Sequence, residues 1–196
     1  MSNHFNASVE LLNPNLIKEK ANSTAYIDEN GSYSFSDLDR AVKNAADLFR
    51  NVGLKEKDRL LITMLDRFSL PVAFLAAIRS GIVPILTNTL LTGDDYRYIL
   101  KDSGACFTLI SPELIEPFSV LQSEGLLENI ITEEDFSATS QSRSAAPPIA
   151  VTTANDHCFW LYSSGSTGRP KGTIHIHSSL SQTATIYAQP TLALRE

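Results

Sequence analysis

Residues 159–177 read FWLYSSGSTGRPKGTIHIH: an aromatic, apolar run, a polar loop of ten residues at 163–172, and an alternating run. The three glycines of the loop permit close backbone approach to an anion, and successive amide N–H groups in such a turn form an anion-binding concavity. Four hydroxyl groups and one lysine complete the set of donors. Because hydrogen bonds to a charged acceptor are roughly twice as strong as neutral ones, this density of donors indicates a loop that binds phosphate oxygens.

Two other kinds of loop share part of this composition. A solvated linker is rich in Ser, Gly, Thr and Pro, but it has no need of a lysine between Pro170 and Gly172 or of apolar runs on both sides. A Walker A loop requires a glycine before the lysine, Ser or Thr after it, and a following helix. Here Pro170 precedes Lys171, Gly172 follows it, and residues 173–177 alternate as a strand does. The pattern therefore predicts a hairpin loop between two strands.

The loop resembles the nucleotide-phosphate loop of the adenylate-forming (AMP-binding) acyl-CoA ligase superfamily. Its flanks, residues 159–162 and 175–177, resemble the benzoate–CoA ligase branch and its aryl-CoA ligase relatives. Further stretches similar to that branch extend over nearly the whole chain: FNAS at 5–8, MLD at 64–66, PVAFL at 71–75, VP at 83–84, NTLLT at 88–92, and Asp95-Tyr96 with Tyr98. Residues 178–181, SSLS, depart from the run with Asn, Pro and an aromatic that often occurs in that branch, so another aryl acid or a medium-length fatty acid is an alternative substrate.

The resemblance implies that ATP activates a benzoate-like carboxylate as an acyl-adenylate and that the acyl group is then transferred to coenzyme A. In the loop it implies that hydroxyls bond phosphate oxygens, glycines allow backbone approach, and the lysine neutralises pyrophosphate charge. The residues that match the family's loop are Ser163, Ser164, Gly165, Ser166, Thr167, Gly168, Lys171 and Gly172. Arg169 is variable in such loops and is expected in solvent. No residue is assigned a catalytic role, and the ligand of Mg²⁺ is expected outside this chain.

Members of that family are much longer than 196 residues. The resemblance therefore predicts that residues 1–196 are the N-terminal portion of a large adenylation domain, with the rest of that domain and a small mobile C-terminal domain absent. We expect this segment alone to turn over no substrate, since the family's Mg²⁺, ribose and hinge groups would follow Glu196. The alternative is a stand-alone, non-catalytic remnant that binds nucleotide weakly or not at all.

Composition restricts the partners. Net charge is −6, from 16 basic and 22 acidic residues, and no basic run compensates. This balance argues against nucleic acid or an anionic membrane surface as the main partner. We find neither a secretion signal pattern nor a run of about 18 apolar residues, and we expect a cytoplasmic protein. Cys106 and Cys158 lie in apolar segments, which predicts buried, reduced thiols.

Strands and helices are predicted to alternate along the chain. A hairpin with the turn Asn30-Gly31 comes first, and the next helix is capped by Ser36 with Asp39 three residues on. The further predicted elements are strand 59–64, helix 68–80, strand 82–86, helix 94–102, strand 106–110, a helix within 112–128, strand 129–132 and strand 158–162. Residues 137–155 are predicted as a surface loop within the domain, with a domain linker as the alternative. The order indicates an α/β fold: a mainly parallel sheet flanked by helices, with ligands beyond the carboxyl ends of its strands.

His175 and His177 share one face of the predicted strand 173–177. Such a pair could bind a metal ion or act as a base, but no carboxylate or cysteine nearby completes a metal site. We therefore favour a structural or pocket-lining role for both. Asp66 follows a predicted strand, where a functional role and a packing or capping role would both fit.

Overall fold

A computed structural model describes residues 4–16, 18–140, 147–163 and 168–193. The strands are β1 (Thr24–Asp28), β2 (Gly31–Ser34), β3 (Arg59–Thr63), β4 (Val83–Leu86), β5 (Phe107–Ile110), β6 (Asn129–Thr132), β7 (His157–Ser163) and β8 (Lys171–Ile176). The α-helices are α1 (Ala7–Leu12), α2 (Phe35–Asn51), α3 (Ser69–Arg79), α4 (Gly93–Ser103), α5 (Ile115–Ser123), α6 (Glu133–Ser140) and α7 (Ser178–Thr183). β1 and β2 form a separate antiparallel hairpin.

The other six strands form one sheet in the order β6-β5-β3-β4-β7-β8. Adjacent strands from β6 to β7 are parallel, and β8 is antiparallel to β7. Neighbouring parallel strands must be joined by a crossover connection, and the helices that alternate with the strands lie in these connections. This topology confirms the predicted α/β fold with a mainly parallel sheet.

Side chains of β3 alternate between two apolar layers, one on each face of the sheet. Leu60 and Ile62 join the layer that contains residues of α2 and α3, whereas Leu61 joins the layer that contains residues of α4 and α5. All three leucine and isoleucine side chains are buried. Because helices cover both faces of the sheet, this strand is apolar at successive positions instead of alternate ones.

The β1–β2 hairpin turns one residue earlier than predicted. Asp28 pairs with Gly31, so the two-residue turn is Glu29-Asn30 and not Asn30-Gly31. Asp28 Oδ1 accepts hydrogen bonds from the backbone N–H groups of Asn30 at 2.8 Å and Gly31 at 3.2 Å. These bonds to an aspartate side chain stabilise the turn.

The cap of α2 also differs from the prediction. Ser34 Oγ accepts a hydrogen bond from the backbone N–H of Asp37 at 3.1 Å, and the Asp37 carboxylate accepts one from the Ser34 N–H at 3.0 Å. This pair is a complete capping box. Ser36 and Asp39 have the same spacing, but they lie inside the helix, so the predicted cap at Ser36 is wrong.

The predicted loop 137–155 is wrong in its first part, because α6 extends to Ser140. Phe136 is fully buried and anchors this helix on Phe49 of α2, with 5.7 Å between ring centroids. Residues 147–156 contain no helix or strand, as predicted, and residues 141–146 lie outside the described part of the chain. The strands on either side of this part of the chain, β6 and β7, belong to the same six-stranded sheet.

The two cysteines are free thiols with different environments. Cys158 is buried in β7, as predicted, and burial raises the pKa of its thiol to about 12. Cys106 is exposed, which contradicts the prediction of a buried thiol. It precedes β5 instead of lying within it, at the point where the chain enters the sheet. Among the described residues we find no helix whose length and apolar character would suit a bilayer crossing.

Candidate phosphate-binding site

β7 and β8 are the two stems of the donor-rich loop. Their paired residues run from His157 opposite Ile176 to Ser163 opposite Lys171, with a register shift between His157 and Phe159. The structure therefore confirms a loop between two antiparallel strands. Ser163 and Lys171 are exposed and face each other where the stems end. Four of the sequence-predicted residues, Ser164, Gly165, Ser166 and Thr167, lie outside the described residues.

The loop lies at the carboxyl edge of the parallel sheet. β7 runs parallel to β4, with Ile85 opposite Trp160 and Leu86 opposite Leu161. Ser163, the last residue of β7, is therefore at the same edge as the ends of the other parallel strands. In sheets of this kind ligands bind beyond that edge.

The structure describes two glycines of the loop, and each position favours glycine for a different reason. Gly168 has φ +86°, a backbone conformation that favours glycine, and a Cβ there would have no atom within 4 Å. A Cβ on Gly172 would lie 3.0 Å from Tyr162 Cζ and 3.2 Å from Trp160 Cε3. Gly172 is thus needed for close packing of β8 against the aromatic side chains of β7, a reason that the loop motif alone did not supply.

Sequence reasoning missed two residues that contact the loop or one of its stems. The Tyr162 hydroxyl donates a hydrogen bond to Asp102 Oδ2 of α4 at 2.6 Å. Burial and the Asp102 carboxylate raise the pKa of Tyr162 well above its usual value. On the other side of the loop, before β8 begins, Arg169 Cζ lies 5.5 Å from the centroid of the Tyr98 ring. Arg169 is exposed, as predicted.

The two histidines after the loop have packing roles. His175 stacks on Phe159 of β7, with 4.5 Å between ring centroids and 3° between ring planes. His177 lies just beyond β8, and its Nδ1 accepts a hydrogen bond from the Ala7 backbone N–H at 3.1 Å. Burial lowers the pKa of His177, against the opposing effect of Asp156. The ring stacking of His175 and the buried hydrogen bond of His177 favour the structural interpretation.

A second polar cluster lies at the carboxyl ends of β3, β5 and β6. Arg67 forms ion pairs with Glu29 at 2.9 Å, Glu113 at 2.6 Å and Glu133 at 3.2 Å. The buried Glu133 carboxylate also accepts hydrogen bonds from the hydroxyls of Ser69 and Ser111. A cavity of about 610 Å³ borders this cluster. In the cluster Arg67 is paired with three glutamates from different parts of the chain. This pairing favours a role for the cluster in holding the carboxyl ends of the strands together.

Asp66 belongs to the surroundings of that cluster. Its Oδ1 accepts a hydrogen bond from the Tyr26 hydroxyl, which links the end of β3 to the β1–β2 hairpin. Of the two roles left open for Asp66, this bond favours the structural one.

Comparison with known proteins gives one family and closely similar folds. The model of the family "AMP-binding enzyme" matches residues 15–195. A benzoate–CoA ligase from Thauera aromatica is 43% identical over 98% of this chain and 38% of its own length. A 4-hydroxybenzoate–CoA/benzoate–CoA ligase from Rhodopseudomonas palustris is 34% identical over 89% of this chain and 34% of its own length.

Among solved structures, a benzoate CoA ligase from Burkholderia xenovorans has a TM-score of 0.86 at 35% identity, over 97% of this chain and 38% of that one. An anthranilate CoA ligase in complex with anthranoyl-AMP has a TM-score of 0.91 at 25% identity, over all of this chain and 38% of that one. The chain therefore spans little more than a third of the length of the relatives that it matches.

Proposed function

Because this chain belongs to the AMP-binding enzyme family, we propose that it is part of an ATP-dependent acid–thiol ligase that activates a benzoate-like carboxylate. The observation that carries this proposal is the β7–β8 hairpin, which holds a donor-rich loop at the carboxyl edge of a parallel sheet. The aromatic acid is supported by 43% identity to a protein named as a benzoate–CoA ligase. A relative named as a long-chain fatty acid ligase is only 24% identical.

The proposed reaction has two steps. In the first, a carboxylate oxygen attacks the α-phosphorus of ATP, the bond to the bridging oxygen of pyrophosphate breaks, and an acyl-adenylate forms. In the second, the coenzyme A thiol loses its proton and its sulfur attacks the acyl carbon, so that AMP leaves with the bonding electron pair. The first step releases a highly charged leaving group, and such phosphoryl chemistry depends on positioning and electrostatic stabilisation.

We assign the binding of the departing pyrophosphate to the loop. In this proposal Ser163, Ser164, Ser166 and Thr167 donate to phosphate oxygens, Lys171 supplies a positive charge, and Gly165, Gly168 and Gly172 leave room for the backbone to approach. Lys171 starts β8 opposite Ser163, and its side chain is exposed. A charge and a hydroxyl at the two stem ends can act on the same phosphate group.

The remaining requirements of the reaction are assigned to parts of the natural protein outside these residues. The described part of the chain offers no cluster of three His, Cys, Asp or Glu side chains for a metal ion, and the proposal places the ligand of Mg²⁺ outside these residues. When bound, Mg²⁺ would neutralise phosphate charge. We propose that residues 1–196 are the N-terminal portion of the adenylation domain, and we expect the isolated chain to form no thioester.

The test is exchange of labelled pyrophosphate into ATP by the longest natural protein that contains these residues, with Mg²⁺ and benzoate. We expect benzoate-dependent exchange, and Lys171→Met should lower kcat/KM for ATP by about 10- to 100-fold, because it removes a hydrogen bond to a charged group. Lys55→Met is the matched control, since Lys55 is an exposed lysine far from the loop in sequence. Absence of exchange with every aryl acid would contradict the ligase function.

The second candidate is a non-catalytic remnant with weak or no nucleotide binding. Binding of ATP to the 196-residue chain, measured by calorimetry, separates weak binding from none. An open reading frame that continues past Glu196 would favour the ligase, whereas an immediate stop codon would favour the remnant.

A further inference from the structure

The ring of Tyr162 covers the backbone of the opposite stem. Tyr162 and Gly172 are direct partners in the β7–β8 pair, and a Cβ on Gly172 would come within 3.0 Å of the Tyr162 ring. Aromatic side chains placed across from a strand glycine fix the register of such a pair. The position of the Tyr162 ring therefore affects both stems of the loop.

The Tyr162 ring is itself fixed by α4. Its hydroxyl donates to Asp102 Oδ2 at 2.6 Å, a short hydrogen bond to a carboxylate that joins residues 60 positions apart in the chain. One helical turn earlier, the Tyr98 ring lies under Arg169, with 5.5 Å from Cζ to the ring centroid. Residues four apart lie on the same helix face, so one face of α4 contacts both sides of the loop.

α4 is a rigid support for these contacts. Its opposite face is packed into the core through Tyr96, Ile99 and Leu100, all buried. Its N-terminus is fixed by a capping box between Thr92 and Asp95. β8, by contrast, is an edge strand of the sheet and has a neighbour on one side only among the described residues. The stems thus depend on α4 for a restraint that a second neighbouring strand would otherwise give.

We propose that Asp102 is a positioning residue of the phosphate loop (residues 163–172): it holds Tyr162, and with it the stem ends at Ser163 and Lys171, in place before nucleotide binds. This inference rests on the proposed ligase function. Donors that are ordered in advance need no reorganisation during the reaction, and residues behind the contacting groups supply that order.

The experiment measures KM for ATP and KM for benzoate in pyrophosphate exchange, again in the longest natural protein. Asp102→Ala and Tyr162→Phe should each raise KM for ATP by about five- to tenfold, consistent with loss of one partly exposed hydrogen bond to a charged group. KM for benzoate should change by less than about twofold, because the bond supports a stem of the phosphate loop and the loop is assigned to ATP. Asp102→Asn keeps an oxygen acceptor for the Tyr162 hydroxyl and should restore most of the affinity for ATP.

The double variant Asp102→Ala with Tyr162→Phe should be no worse than the poorer single variant, since both remove the same bond. Tyr96→Phe is the matched control: it removes a tyrosine hydroxyl of α4 that donates to the Asn88 carbonyl at 2.8 Å, and it should leave KM for ATP unchanged. An equal rise of KM for ATP in Tyr96→Phe, or no rise in Asp102→Ala, would overturn the proposal.

The two proposals fail in different ways. A wild-type protein without exchange would overturn the ligase function, whereas the positioning role is decided by the variants. Hydrogen exchange of the β7 and β8 amides gives a readout that needs no activity. It should be faster in Asp102→Ala than in Tyr96→Phe, and equal rates in the two variants would show that α4 does not restrain the stems.

Discussion

The stability of the chain should fall in mild acid because of one histidine. His177 is 2% exposed, and its Nδ1 accepts a hydrogen bond from the Ala7 N–H at 3.1 Å. Only an unprotonated Nδ1 can accept this bond. Burial lowers the pKa of His177 below its ordinary value of 6.5, although the nearby Asp156 acts in the opposite direction. The folded state therefore requires the neutral imidazole.

The sign of the effect follows from proton binding. In the unfolded chain His177 takes up a proton near pH 6.5, whereas in the folded chain it does so only at lower pH. Between these two values the unfolded state binds more protons, so the free energy of unfolding decreases as the pH falls. The contribution of His177 is thus fully present above about pH 6.5 and is lost as the pH falls toward the folded-state pKa.

Two quantities set the size of this loss in the free energy of unfolding. One titrating group changes the free energy of unfolding by at most about 1.4 kcal/mol per pH unit. Protonation would also place the new Nδ1–H against the Ala7 N–H, and a buried unsatisfied donor costs about 1–3 kcal/mol. Between pH 6.5 and about pH 5.5 we therefore expect a loss specific to His177 of at most about 1 kcal/mol.

Urea unfolding of wild type and His177→Asn, followed at about pH 7.5 and about pH 5.5, tests this expectation. Asn can place Oδ1 near the position of Nδ1 and does not titrate. Trp160 is the only tryptophan of the chain and lies in β7, so its fluorescence reports on the strands next to His177. The remaining histidines are common to both proteins and cancel in the comparison. If both proteins lose the same free energy of unfolding on acidification, the reasoning about His177 is refuted.

Three further predictions concern packing and capping, and urea unfolding checks each of them. Phe136→Ala should reduce the free energy of unfolding by about 3–5 kcal/mol because the side chain is fully buried, whereas the half-exposed Val120→Ala should change it by less than about 0.5 kcal/mol. Thr92→Ala should cost about 1 kcal/mol through loss of the α4 cap, and Thr92→Ser should restore it. Gly172→Ala should cost about 1–3 kcal/mol because its Cβ would lie 3.0 Å from the Tyr162 ring; an unchanged midpoint would count against that close packing.

The fold was predictable where the local pattern agrees with the tertiary environment. The apolar run at residues 60–62 is too short for a typical helix, and in the structure helices cover both faces of this strand. The predicted loop 137–155 is wrong at residues 137–140, which belong to α6, because Ser, Ala and Thr alone make up that stretch of sequence. That helix is anchored by a buried aromatic side chain, Phe136, which packs on Phe49 more than 80 residues earlier in the chain.

The cap of α2 shows a different limit. Ser34 with Asp37 and Ser36 with Asp39 satisfy the same capping pattern in overlapping sequence. Ser34 ends strand β2, and Phe35, directly after it, begins the helix. Which of the two serines becomes the cap is therefore decided by where the preceding hairpin ends, and the local spacing carries no information about that.

The donor-rich loop at residues 163–172 likewise depends on both local and distant parts of the sequence. Its donors are consecutive in sequence, and the alternation after Lys171 was enough to predict a strand-to-strand loop. The groups that hold its stems come from elsewhere: Asp102 of α4 bonds Tyr162, and the Ala7 backbone of α1 bonds His177. These contacts join residues 60 and 170 positions apart, and no periodicity or spacing relates such positions. A motif of ten residues therefore predicts the chemistry, whereas the contacts that hold the stems come from groups that no local motif contains.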